Sequence, residues 1–369
     1  ADGVVFKVTP RDCFGNCGPA ITSDRFVARV VPAFTMRIDD NQSVADWRRV
    51  AEIFECGGMR CSFAVVPNEL SEEHGACLRE LAARGHAIMD HTPHHTFYRL
   101  TYRNRAEFDR VKGAPFVQEA DEKTATVLFA CEVDENSSKN RRARVRIEGD
   151  RLTFLDGRDY GLFGIFVRLA GEDRLIGLAK KNDSYEMKDI WRRPLNPRPP
   201  KGEQEVVVYD SAAVQPSDDA LRELARVSRE RFDHFGLPRP KVWVRPGGWE
   251  PSVLDERLER VYGREFGYIG ADAGVGAARG TTRWTRGFDR MHFFDQGVKV
   301  TPEGLVDEIQ KRLADGHDHV ILSHMWRSSL TGGREEYFAK TERFAQLLAD
   351  RQIPTRTMPE LLNIRFGMR

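Results

Sequence analysis

"RFVARVVPAFTMRIDD" (25–40) is rich in β-branched and aromatic residues and predicts a buried strand that ends in two acids. The next stretch, "SVADWRRVAEIFECGG" (43–58), sets Val44, Trp47, Val50, Ile53 and Phe54 at helical spacing and stops at paired glycines. "CSFAVVP" (61–67) predicts a second strand, "SEEHGACLRELAARG" (71–85) a second helix and "HAIMDH" (86–91) a third strand. This β-α-β-α-β rhythm is what a parallel α/β core requires.

Further along, the texture changes. From about Tyr102 to Val208 the chain runs in short alternating pieces, "ATVLFACEV", "RARVRIEGDRLTFLDG" and "LFGIFVRLAGEDRLIGLAKK", with EGD and GED turns that predict hairpins of an antiparallel β unit. "RRPLNPRPPKGE" (192–203) reads as a proline-rich linker closing that unit. The α/β rhythm then resumes. "SDDALRELARVSRERFDHFG" predicts a helix capped by Ser217 and stopped by Gly236, and "KVWVRPGGW", "YIGADAG" and "HVILSHMW" predict strands. Helices are expected at "SVLDERLERVYGREFG", "TPEGLVDEIQKRLADG" and, last, "REEYFAKTERFAQLLADRQ". The organisation expected is an extension at 1–24, an α/β barrel in two parts, 25–101 and 208–369, and a β-rich insertion at 102–207.

Composition limits the function. With 40% hydrophobic and 31% charged residues in 369, the chain reads as an ordinary globular protein, and it holds no apolar run long enough to cross a bilayer. Its 57 basic and 56 acidic residues leave a net charge of +1, which disfavours nucleic acid as a partner. The chain starts at Ala1 with no apolar leader, which fits a mature secreted, periplasmic or cell-surface protein, or a chain trimmed at that end. Six cysteines are too few for a disulfide scaffold at this length; Cys13 and Cys17 are spaced for a metal or a loop disulfide, with free or locally paired thiols the simpler expectation.

The chemistry concentrates at predicted strand ends. "GHAIMDHTPHHTF" (85–97) carries four of the ten histidines. His91 and His95, four apart, are expected on one side of a helical turn after the third strand, with Asp40 as the carboxylate that completes a two-imidazole, one-carboxylate metal site with an open position. His86 and His94 are not expected to be ligands. Asp39 beside Asp40 would be costly to bury without a neighbouring cation, and Arg245, after "VWV", is the expected guanidinium. His324 ends the last strand. In a parallel barrel these strand ends share one face.

These stretches, in order, resemble the polysaccharide deacetylase family (the NodB-homology, carbohydrate esterase family 4 group). "TMRIDDN" (35–41) is similar to its T-F-D-D-G motif, "GHAIMDHTPHH" (85–95) to G-H-E-I-G-N-H-[ST]-x-x-H, "VRPGGW" (244–249) to R-P-P-[YW] and "ILSH" (321–324) to the closing L-x-H. The resemblance covers 25–97 and 208–364. It implies a distorted (β/α) barrel and a divalent metal, commonly zinc, on Asp40, His91 and His95. It also implies Asp39 as general base oriented by Arg245, His324 as general acid, and Trp249 and Leu322 at an acetyl pocket, with Asp272 where the family carries a further aspartate. The implied substrate is an acetylated carbohydrate, N- or O-linked. Asn41 in place of glycine, Arg37 and Ile38 before the aspartates and "GGW" depart from the pattern. The rival readings are a metal-independent amide hydrolase of the allantoinase-like branch and a catalytically inactive carbohydrate-binding protein. The basic "KNRRARVR" (139–146) and "KDIWRRPLNPRPPK" (188–201) are expected to be solvated faces, or else to extend the groove toward an anionic polysaccharide or to mediate homo-oligomerisation.

Overall fold

The computed structural model describes residues 31–102, 126–161, 164–209, 212–247, 253–273, 301–325 and 333–367, with short pieces at 7–8, 21–22, 105–110, 116–117, 282–284, 286 and 289–293. Seven strands form one all-parallel sheet: β1 (Phe34–Asp39), β2 (Cys61–Val65), β3 (Ala87–Asp90), β4 (Val242–Val244), β5 (Gly270–Asp272), β6 (Asp289–His292) and β7 (His319–Ser323). Their spatial order is β5-β4-β3-β2-β1-β7-β6. Helices α1 (Val44–Cys56), α2 (Glu72–Ala83), α3 (Asp218–His234), α4 (Pro302–Ala314) and α5 (Arg334–Asp350) run between and after the strands, and α6 (Met358–Phe366) follows. Ser43, Ser71, Ser217 and Thr301 cap α1 to α4, each accepting the backbone N–H three residues on. None of the described helices is long and apolar enough to cross a membrane.

Side-chain alternation along the strands separates two cores. Met36, Ile38, Phe63, Val65, Ile88 and Ile321 face the helices outside. Ala64, Met89, Val242, Val244 and Val320 face inward, where Met358, Leu361 and Leu362 of α6 fill the space between them as a plug. Truncating that plug, Leu362→Ala, is expected to cost about 2–5 kcal/mol, read as a lower urea midpoint; an unchanged midpoint would mean that α6 does not seal the interior. Arg37 on β1 reaches Asp272 on β5. In a flat sheet those strands, four spacings apart, would be separated by roughly 19 Å. The contact therefore requires a sheet rolled into an incomplete barrel, open between β5 and β6 among the described residues.

The intervening chain holds a second architecture. Arg141–Glu148, Arg151–Phe154, Ser184–Asp189, Leu175–Lys181, Ile165–Leu169 and Gly202–Tyr209 close, in that order, into a six-stranded antiparallel barrel. Along Arg141–Glu148 the residues from Ala143 on alternate, with Ala143, Val145 and Ile147 buried and the charged residues outside. Arg144 and Arg146 both pair with Glu203 on the adjacent strand. This part of the basic run is a solvated face. Cys131–Val133 and Val214–Pro216 pair antiparallel where the chain enters and leaves.

The structure corrects several expectations. The proline-rich 192–203 is not a linker out of the β unit: Leu195 is buried in its core and Gly202–Tyr209 closes its barrel. Strand β6 and helix α6 were not expected. The helix expected at "SVLDERLERVYGREFG" begins at Asp255 and widens into π-type turns over Glu259–Glu265. Cys13, Cys17 and Trp249 lie outside the described residues.

Candidate functional site

The site is built on the C-terminal ends of the strands. Asp39 closes β1, facing inward with Arg37 two residues before it. Arg37 donates Nε to Asp39 Oδ1 and Nη2 to Asp39 Oδ2, both at 2.7 Å, and Nη1 to Asp272 Oδ2. All three side chains are at most 3% exposed. Burial alone would raise the Asp39 pKa, but Arg37, then the His91 and His324 rings, outweigh it and hold the carboxyl below its ordinary range. Arg37 thus grips Asp39 with its guanidinium, a contact that was not expected. The reason is register: residues two apart on a strand point the same way, so Arg37 reaches Asp39 without leaving β1. Arg245 stands just past β4 and donates its backbone N–H to Asp272 O at 3.0 Å.

Asp40 follows in the left-handed region, φ 65°. That turn is pinned by Asn41, whose side chain donates to Val66 O at 2.9 Å and accepts from Val66 N at 3.0 Å. The ring Nε2 of His95 is 3.3 Å from Asp40 Oδ1 and that of His91 3.7 Å. Among the described residues, Asp40, His91 and His95 form a cluster whose ligand atoms all lie within 4.8 Å of one another. His324 Nε2 is 4.0 Å from Asp40 Oδ2, and His91 Nε2 is 3.8 Å from Asp39 Oδ2.

The chain between His91 and His95 is not the expected helical turn. Thr92 (φ 66°) and His95 (φ 54°) are left-handed, and Thr96 N donates to Thr92 Oγ1 at 3.0 Å. This tight loop, rather than helical periodicity, brings the two rings to 4.6 Å. Asp90 anchors its base, accepting from Thr92 N, Ser228 Oγ and Tyr268 OH. Burial, against those hydrogen bonds, raises the Asp90 carboxyl to about 6. His94 turns away to Asn68 and Thr101, and His86 to Glu55 and Cys61 N, so neither joins the cluster.

Does this donor set suit a divalent cation? The Nδ1 of His91 donates to Val244 O at 3.1 Å, which leaves Nε2 as the ring nitrogen that can serve as a ligand. That Nε2 is buried and has no hydrogen-bond partner. Burial, then the neighbouring His91 ring, push His95 down to about 4. Arg37 pairs with Asp39 and Asp272, while the Asp40 carboxylate lies against the two imidazoles. The residues fit such an ion, with imidazole and carboxylate ligands of the kind zinc takes. Leu322, 6% exposed, shares the inward face of β7 with Val320 by alternation. Arg37 was missed as a functional residue although a signal was present: a lone charge inside an apolar strand, in register with an acid.

No family model and no curated protein matches the chain. Among solved structures it aligns with a family 4 carbohydrate esterase from Streptomyces lividans in complex with acetate, at 10% identity and a TM-score of 0.41, over 89% of this chain and 94% of that one. It also aligns with the peptidoglycan deacetylase PdaC from Bacillus subtilis, at 8% identity and a TM-score of 0.41, over 92% and 94%. A family 4 acetyl xylan esterase from Clostridium thermocellum in complex with a cobalt ion aligns at 10% identity and a TM-score of 0.40, over 91% and 92%. Overlaps of this size carry no functional weight, and what the site does is read from its own side chains.

Proposed function

We propose that the protein is a metal-dependent hydrolase that removes acetyl groups, N- or O-linked, from a carbohydrate. The observation that carries this reading is the bare, buried Nε2 of His91 turned toward Asp40 and His95, with an arginine-held carboxylate beside it. Asp40, His91 and His95 would hold the ion, zinc being the leading candidate; when bound, it supplies a Lewis acid for the acyl oxygen and an acidified water.

The remaining chemistry belongs to the chain. Asp39, ionised at neutral pH, accepts the proton of the attacking water on its carboxylate, and Arg37 keeps both carboxylate oxygens in place while it does so. His324, whose Nε2 is 4.0 Å from Asp40 Oδ2, would return a proton to the departing amine or alkoxide. Leu322 supplies apolar surface where the acetyl methyl would rest. The antiparallel barrel, an insertion into the barrel of parallel strands on this reading, would complete the groove. An acetylated polysaccharide outside the cell is the substrate that fits this assignment.

Acetate release from acetylated glycans, measured with and without chelator, tests the activity; turnover unaffected by chelation would favour a metal-independent amide hydrolase. His91→Ala and Asp40→Ala are each expected to weaken zinc binding by more than about 100-fold in calorimetry, beyond what loss of a supporting hydrogen bond costs. A metal-loaded, fully active Asp40→Ala protein would refute the ligand assignment.

A further inference from the structure

We propose that Asn41 is a positioning residue for the metal: its side chain sets the direction of Asp40 before the cation arrives, and so governs how tightly the ion is held. This rests on the metal-dependent reading above and concerns the same site.

The backbone is what needs holding. Asp40 is left-handed, a conformation that a residue with a β-carbon keeps only where its surroundings enforce it. Its carboxylate is 32% exposed and faces the rings of His95, His91 and His324 at 3.3, 3.7 and 4.0 Å. Asn41, next in the chain, spans the gap to β2. Strand β1 pairs with β2 only as far as Asp39 and Ala64, so Val66 lies beyond the ladder. A carboxamide carries the same donor and acceptor as a peptide unit, and that of Asn41 engages both backbone groups of buried Val66. Gln42 steadies the other side of the turn, donating Nε2 to His324 O at 3.2 Å, just past the end of β7.

The far end of this tie is stiff, and it is shared. Val66 precedes Pro67, which confines it to extended backbone, here φ −92° and ψ 93°. Its neighbour Val65 accepts from His91 N at 2.9 Å through its carbonyl. Asp40 and His91 therefore hang on one dipeptide, Val65–Val66, and three hydrogen bonds set their separation without help from an ion. His91 is held again through Nδ1 on Val244 O. Ligands already in place cost an arriving ion little reorganisation, and that saving appears as affinity. Without the Asn41 amide, Asp40 can leave the left-handed region, and only a fraction of molecules presents the full ligand set; the apparent affinity falls by that fraction.

The test measures the zinc Kd by calorimetry and the urea midpoint of the metal-free protein for wild type, Asn41→Ala and Asn41→Gly, each checked for folding by circular dichroism. Asn41→Ala is expected to weaken zinc binding by about 10- to 100-fold, as loss of a residue that orients a ligand does. Asn41→Gly should weaken it at least as much, because glycine adds backbone freedom next to Asp40. Cobalt-loaded Asn41→Ala should also differ from wild type in visible absorption, which reports ligand geometry, and its acetate release should recover toward wild type in excess zinc. A lowered urea midpoint with unchanged zinc affinity in both variants would make Asn41 a structural contact only. That result would overturn the proposal while leaving the metal ligands as assigned. Wild type that binds no zinc would overturn the metal-dependent reading, and this inference with it.

Discussion

Asp39→Asn lowers kcat by about a thousandfold and leaves the metal content unchanged: this is the expected result, since positioned acid–base groups contribute about 10²- to 10⁴-fold. Asparagine matches aspartate in shape and keeps one oxygen for Arg37, but it cannot take a proton from water. The ligand cluster on Asp40, His91 and His95 is untouched, and Arg37 retains Asp272 as its counter-charge. Metal analysis and acetate release on the same preparation check both halves. Near-normal turnover would remove Asp39 from the mechanism and move the base to another group. Loss of metal together with activity would make Asp39 a ligand.

Arg37→Met has the largest expected effect on stability, a loss of about 3–5 kcal/mol. Breaking a buried ion pair by deleting one partner leaves the other charge without compensation. Here two carboxylates, on Asp39 and Asp272, would lose their shared cation in a region at most 3% exposed. Urea denaturation of the metal-free protein measures the effect. Adding Asp272→Asn to Arg37→Met should restore part of the loss, because one of the two carboxylates that Arg37 held is neutralised; a double-mutant cycle that comes out additive would mean that the pair does not act as a unit. A loss below about 1 kcal/mol would show that water reaches these groups in the folded protein.

The residues that were legible in the sequence are those whose role is local. The alternation from Phe34 to Asp90 announced three parallel strands, and Ser217 announced a helix start that the structure keeps. Asp40, His91 and His95 could be named together because each follows a strand of the same sheet, and parallel strands end on one side. What escaped depends on contacts distant in sequence. Arg37 looks like an intrusion until Asp272, 235 residues on, is placed opposite it. Helix α6 carries a weak amphipathic pattern because Met358, Leu361 and Leu362 plug a barrel from one end instead of covering a sheet face. The 91–95 loop read as a helical turn because four-residue spacing is shared by helices and by tight loops with left-handed residues, and spacing alone does not separate them.

The paired strands Cys131–Val133 and Val214–Pro216 have an evolutionary corollary. Whatever lies between them departs and returns through the same doorway, and the six-stranded barrel it now forms closes on its own apolar centre. On the insertion reading, descendant lineages could lengthen, trim or exchange that cargo with little effect on the spacing of Asp40 from His91, both encoded upstream. New specificities would then arise by trading the cargo, with the hydrolytic machinery inherited whole.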